Sequence, residues 1–305
     1  MSSNIILHHY EMSPFSEKVR LMLGYCNVSW QSVLTSAMPP RPLLLPLAGG
    51  YRRIPVAQIG ADVFCDTQLI TAEIAQLANC SKLEMINCSA EQQDFIALLD
   101  SDIFMAAIAA IPPGRMLGTL LQRVSPLSLF KLIRDRANMA KQSNIARLSK
   151  DKAQALIDKH IVDLNQRLQN SDFLFGDEPS IADFSAYHSL WFYGLMARRS
   201  LPDKASKLCV WYAKMASFGH GQRVKLSARK AISIAANTEP RSVPVVDQDV
   251  EKLGTQVFIS PSDYGMEPVT GILLGSNAER WIVARQSKDC GNVHVHFPKR
   301  GYHLS

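Results

Sequence analysis

Tyr10-Glu11-Met12-Ser13-Pro14-Phe15-Ser16 stands between a short apolar run, Asn4–His9, and a segment of helical period, Phe15–Gly24. The run suits a buried strand. Ser13 followed by Pro14 is a hydroxyl N-cap with proline at the first helical position. Val19, Leu21, Met22 and Leu23 carry the helix on, and Gly24 is placed to end it. The first N–H groups of such a helix lack internal partners, and the macrodipole favours an anion there. A thiolate bound at that spot would accept a hydrogen bond from Ser13. Its thiol pKa, ordinarily about 8.5, would fall. Cysteines at positions 13 and 16 would signal dithiol chemistry, but both are serine. Thiol–disulfide exchange needs a thiolate and is therefore excluded at this turn. Taken alone, Ser13 reads as a helix cap.

Working outward, Ser29–Leu34 reads as a second strand. Ala37–Gly50, rich in Pro, Leu and Gly, reads as an irregular excursion. Ile54–Ile59 and Val63–Cys65 form a hairpin turning at Gly60-Ala61-Asp62. Thr67–Ala78 is a helix with Leu69, Ile70, Ile74 and Leu77 on its apolar side. In Arg53-Ile54-Pro55-Val56 the proline opens a strand. A cis bond there would turn the Ile54 N–H and C=O toward the first turn, ready to pair with a peptide backbone. At Asp66-Thr67 a carboxylate, a hydroxyl and free helix N–H groups converge, which suits the α-carboxylate and α-amino ends of a γ-glutamyl group. The plainer reading is a helix N-cap supplied by Thr67.

From Ser89 to Asn237 nearly everything has helical period: Ala90–Ile111 up to Pro112-Pro113, then Leu127–Ser149, Lys150–Asn170, Ser180–Arg199, Pro202–Ala216 and Gln222–Asn237. A bundle is the simplest home for these helices. Thr238–Val250 reads as a linker. Thr255–Ile259, Val269–Leu274, Arg280–Arg285 and Val293–Phe297 then read as short strands. So small a β unit is near the lower limit of independent stability and is expected to lean on the bundle. The predicted boundaries are 1–80, 89–237, a linker over 238–250, and 251–305.

The chain has 305 residues, 47% hydrophobic and 20% charged, which excludes wholesale disorder and fibrous classes. Its six scattered cysteines include no CxxC pair, the pattern of reduced thiols. No apolar run has transmembrane length, and Met1–Tyr10 lacks a basic, then apolar, leader pattern. The expected setting is the cytoplasm, without membrane partners. A formal charge of +6 is concentrated between Arg115 and Arg167 and reads as a solvated helix face. Nucleic-acid binding through it lacks interleaved aromatics. His294 and His296 alternate on one strand with Lys299, Arg300 and His303 close behind, a thin metal or anion pattern for which a solvated edge is the plainer reading. Apolar candidates for an acceptor pocket are Met12, Phe104, Met105, Ile108 and Tyr187, but apolar residues at helical spacing more often belong to a core.

The Ser-Pro-Phe-Ser turn, Arg53-Ile54-Pro55-Val56 and Asp66-Thr67 occur in that order before a helical bundle. Phe175-Gly176-Asp177-Glu178-Pro179-Ser180-Ile181-Ala182-Asp183 adds a capping box within the bundle, Ser180 capping and Asp183 reaching back. Together these resemble the serine-type glutathione S-transferase superfamily over residues 4–237. The resemblance implies a thioredoxin-like α/β N-terminal domain, an all-α C-terminal domain, glutathione as co-substrate without a metal, and a homodimer. By position it makes Ser13 the thiolate-stabilising hydroxyl and places Phe15 and Pro55 beside the ligand. Ile54 would supply the backbone pair, Asp66 and Thr67 would hold the γ-glutamyl end, and Arg53 would reach the glycyl carboxylate. The second substrate would be small and electrophilic or apolar. The proline-rich excursion and the β-rich extension depart from the family plan. They support an alternative, a non-catalytic scaffold that binds glutathione or a protein through the extension.

Overall fold

The structure is a computed structural model and describes residues 5–145, 148–197, 206–243 and 249–305. Its first third runs β1 (Ile5–His9), α1 (Pro14–Tyr25), β2 (Trp30–Leu34), α2 (Leu45–Ala48), β3 (Val56–Ile59), β4 (Asp62–Cys65) and α3 (Thr67–Leu77). Strand β2 lies parallel to β1, β3 antiparallel to β1, and β4 antiparallel to β3. This is the predicted thioredoxin-like unit. The excursion contains one short helix, α2, that the proline content hides. Gly24 lies inside α1 rather than ending it. A Cβ there would stand 2.3 Å from the Gly219 carbonyl oxygen, so a close backbone crossing requires glycine.

The helical region contains α4 (Ala90–Leu98), α5 (Phe104–Ala110), α6 (Pro113–Leu121), α7 (Pro126–Gln142), α8 (Lys150–Arg167), α9 (Ile181–Ala197) and α10 (Lys207–Ser217). A π turn over Leu99–Ile103 divides the single helix expected across Ala90–Ile111. It keeps Leu99 and Ile103 in the core and stands Asp100 toward the cavity described below. The helix expected over Leu127–Ser149 stops at Gln142, and Ser149 caps α8 instead. The end of Ser180–Arg199 and the start of Pro202–Ala216 lie outside the described residues. The helix expected over Gln222–Asn237 is shorter. Arg223–Lys225 instead forms β5, parallel to β2, and α11 spans Ala228–Ala236. The cause is the open edge of β2: the Trp30 N–H donates to the Gln222 carbonyl at 3.0 Å and the Trp30 indole to that of His220 at 2.7 Å.

After Asn237 come β6 (Gln256–Pro261), β7 (Val269–Ser276), β8 (Arg280–Ser287), β9 (Gly291–Pro298) and β10 (Tyr302–Leu304). The extension touches the bundle where the Asn144 N–H, just after α7, donates to the Asp263 carbonyl at 2.9 Å, but its strands join the N-terminal sheet. Strand β9 pairs in parallel with β4, giving one ten-stranded sheet ordered β10-β6-β7-β8-β9-β4-β3-β1-β2-β5. Left open, β4 would present a row of unpaired N–H and C=O groups, and β9 covers them. Val293, Val295 and Phe297 of β9 share one buried cluster with Val63 and Cys65 of β4, with α2 and with Ala235 of α11. On the opposite face, α1, α3 and the bundle close a second core around Leu7, Phe64, Ile74 and Trp211.

Polar contacts reinforce the β4–β9 junction. His296 Nε2 lies 2.8 Å from Asp62 Oδ1, and its ring stacks on Phe64. Glu73 of α3, only 3% exposed, accepts from Arg280 at 2.8 Å and Arg241 at 3.1 Å. His296 is therefore a structural partner of Asp62. Among the described residues no group of three or more metal-type side chains is assembled.

Candidate active site

The first turn of α1, the Pro55 edge, the start of α3, the end of α4, the π turn and the β6–β10 extension line a cavity of about 230 Å³. Phe15, Arg53, Ile54, Pro55, Asp66 and Thr67 all line it. The fold thus brings together residues widely separated in sequence.

The Ile54-Pro55 bond is cis. Ile54 precedes β3, and among the described residues its N–H and C=O make no hydrogen bond within the chain, so both remain for a ligand. Phe15 packs edge-on to Phe104 and against His188, both ring centroids 4.8 Å away. Burial pushes the His188 pKa down to about 4, which keeps the ring neutral. Phe104 and Tyr187, candidates for an acceptor wall, are core residues at 8% and 3% exposure.

Asp66 rather than Thr67 is the N-cap of α3. Its Oδ1 accepts from the Gln68 N–H at 3.0 Å, and its backbone is held at φ +73°. A non-glycine residue there carries strain of about 1–3 kcal/mol, which typically gathers at ligand clamps. Its other oxygen, Oδ2, accepts from the Tyr302 hydroxyl at 2.9 Å, and Tyr302 pairs with Tyr51 at 2.6 Å. Burial holds both phenols far above their ordinary pKa, so they remain neutral donors.

Arg53 is differently placed from its expected role. Its guanidinium donates to the Tyr264 carbonyl at 2.7 Å, pairs with Asp263 at very short range, and lies 3.7 Å from Asp66. It also stacks over the Tyr264 ring at 4.1 Å. The extension has thus enclosed the cation expected to meet a glycyl carboxylate.

Ser13 does not line the cavity. It is 1% exposed, and its Oγ accepts from the Ser16 N–H at 3.1 Å, the helix-cap geometry. Ser16 Oγ is buried without a partner. Behind this turn, Arg20 is almost fully buried, paired with Glu17 at 2.5 Å and donating to the Glu11 carbonyl at 2.9 Å.

Asp263, Tyr264, Arg300 and Tyr302, which complete the cavity, come from the extension, and Asp100 comes from the π turn. No local motif marked them. Only Arg300 stood in a recognisable basic cluster, and that cluster suggested an anion without a location.

The chain's residues 7–82 match the model of the glutathione S-transferase N-terminal domain, and residues 137–218 match that of the C-terminal domain. No curated protein sequence matches the chain. Among solved structures, a GST-like protein from Pseudomonas syringae is 32% identical, with a TM-score of 0.77 and 99% of each chain covered. A glutathione S-transferase from Sinorhizobium meliloti 1021, 19% identical, covers 70% of this chain and 89% of its own at a TM-score of 0.50. An unclassified glutathione S-transferase from Bombyx mori, 15% identical, covers 71% and 90% at 0.50. The last two share the fold. The motif order, the cavity those motifs line, and the full-length similarity to the Pseudomonas protein agree: the chain belongs to the glutathione S-transferase superfamily.

Proposed function

We propose that the protein binds glutathione in this cavity and uses its thiolate against a small electrophilic or apolar substrate. The observation that carries this reading is that Phe15, Arg53, Ile54, Pro55, Asp66 and Thr67 line one cavity. The free backbone groups of Ile54 would pair with the cysteinyl unit, and Asp66 and Thr67 would take the γ-glutamyl end. The thiolate would sit at the N-terminus of α1, where the helix end lowers a thiol pKa. Proximity to the second substrate and thiolate stabilisation would supply the rate. At about 230 Å³ the cavity is smaller than the roughly 300–1,000 Å³ of typical ligand sites, which suits the γ-glutamyl-cysteinyl part with the acceptor at its mouth.

The second reading is a binding scaffold with little turnover. The 1% exposure of Ser13 and the enclosure of Arg53 by the extension favour it. Calorimetric titration of glutathione, beside a conjugation assay with a generic aromatic electrophile, separates the two. Binding with turnover that falls steeply in Ser13→Ala supports the enzyme. Binding without turnover supports the scaffold. No binding at millimolar glutathione overturns the enzyme and leaves a scaffold that binds a protein through the extension.

A further inference from the structure

The cavity's charges are unevenly partnered. Of its carboxylates, Asp263 is bound to Arg53, Asp66 lies 3.7 Å from the same guanidinium, and Asp100 accepts from Lys18 at 2.7 Å. Of its two arginines, Arg53 is stacked, paired and hydrogen-bonded on several sides. Arg300 is not. Its ion-pair partner is Asp94 of α4, at 3.9 Å, and that aspartate side chain is 85% exposed. At that separation and exposure such a pair contributes little. The Arg300 guanidinium therefore stands at the rim of the cavity ready for another anion. Its location is fixed from below: the Gln68 side chain donates to the Arg300 carbonyl at 3.3 Å. That contact seats the β9–β10 turn on the first turn of α3, beside Asp66 and Thr67.

We propose that Arg300 of the extension is the ligand's carboxylate anchor and that it holds the α-carboxylate of the γ-glutamyl group. The inference rests on the glutathione reading above. It gives the extension a direct part in recognition: five of the residues lining the cavity, from Asp263 to Tyr302, belong to it, and Arg300 and Tyr302 among them touch Gln68 and Asp66 at the start of α3. Arg53 is thereby released from ligand binding and serves to fasten the Asp263-Tyr264 loop. Asp66, held beside Tyr302, faces the ligand's α-amino group. Carboxylate and ammonium of one amino-acid end are then met by opposite charges on two different parts of the chain, a pairing that selects a zwitterionic γ-glutamyl compound over a simple thiol.

The test is a cycle between protein and ligand, read by calorimetry. Glutathione, its glycyl monoethyl ester, and the analogue with 4-aminobutyryl in place of γ-glutamyl are each titrated into wild type, Arg300→Gln and Asp94→Asn. The 4-aminobutyryl analogue lacks only the α-carboxylate. Arg300→Gln is expected to weaken glutathione and the monoester about tenfold, the scale of one partly exposed charge-assisted contact. It should leave the affinity of the 4-aminobutyryl analogue unchanged. Asp94→Asn should keep or improve all three affinities. Equal losses for ligands with and without the α-carboxylate overturn the proposal, as does a loss in Asp94→Asn matching that in Arg300→Gln. So does wild-type affinity in Arg300→Gln, with the glutathione reading left intact. Absence of glutathione binding by the wild type overturns both. Arg300 is a solvent-facing turn residue, and an unchanged thermal midpoint in Arg300→Gln verifies the fold.

Discussion

Asp183 at the start of α9 gathers four donors into a site that is 0% exposed. Its Oδ1 accepts from the Leu174 N–H and the Trp211 indole N–H, and its Oδ2 from the Ser180 N–H and hydroxyl, all at 2.9 Å. The capping box foreseen in the sequence is half realised. Asp183 reaches back as expected, but the Ser180 hydroxyl donates to it instead of accepting from the helix. Burial pushes the carboxyl pKa up, against the pull of these four donors. In Asp183→Ala the serine hydroxyl can rotate to another acceptor, but three buried N–H groups cannot. At about 1–3 kcal/mol for each stranded donor, the loss amounts to about 3–9 kcal/mol. That is comparable with the whole stability of a typical protein, about 5–15 kcal/mol. Asp183→Asn keeps one accepting oxygen and should lose roughly half as much. Urea unfolding followed by tryptophan fluorescence and far-ultraviolet circular dichroism measures both variants. The alanine variant should be largely unfolded or insoluble at 37 °C, and the asparagine variant folded with a lowered midpoint. An alanine variant within about 1 kcal/mol of wild type would refute the reasoning, since not even one stranded donor would then have been felt.

Four further outcomes are expected. Gly24→Ala forces a Cβ against the backbone oxygens of Gly219 and Phe218, at 2.3 and 2.5 Å, and should lower the thermal midpoint by several degrees; an unchanged midpoint refutes the close crossing. His8, His9 and His188 are buried with pKa values lowered to about 4, 3 and 4, so the unfolded chain binds more protons than the folded one below pH 6.5. Stability present above that pH should therefore fall as the solution is acidified from 6.5 toward 4, and a flat urea midpoint across this window contradicts it. Arg280→Met leaves Glu73 with Arg241 alone, and limited proteolysis should then cut the extension faster than in wild type. Removal of residues 238–305 uncovers the β4 edge together with Val63 and Cys65, and the shortened chain should be recovered mainly as aggregate; a soluble, monodisperse product refutes the role of β9 as an edge cover.

Much of the N-terminal unit is local in origin. The Ser13-Pro14 start, the apolar spacing of α1 and α3 and the Gly60 turn each follow from a few neighbouring residues, and the sequence shows them directly. The relation among Phe15, Ile54, Pro55 and Asp66 was also legible, because those motifs occur in a recognisable order. The details at each residue were less so. Both Ser13 and Thr67 carry hydroxyls at helix starts, yet Asp66 takes the cap of α3. Its backbone stands at positive φ, and its second carboxylate oxygen accepts from the Tyr302 hydroxyl, a partner that the local sequence does not announce.

The sequence by itself determined the thioredoxin-like unit, the helical character of most of residues 90–217, the exclusion of dithiol chemistry at Ser13 and Ser16, and the existence of a β-rich extension. Only the tertiary structure decided where that extension goes. Strand pairing is a contact between backbones and carries no side-chain label, so nothing in β4 or β9 names the other as its partner. Their pairing in turn carries Asp263, Tyr264, Arg300 and Tyr302 to a cavity begun some two hundred residues earlier in the chain. The commitment of Arg53 to Asp263 and the exposure of Arg300 beside α3 follow from that one long-range contact.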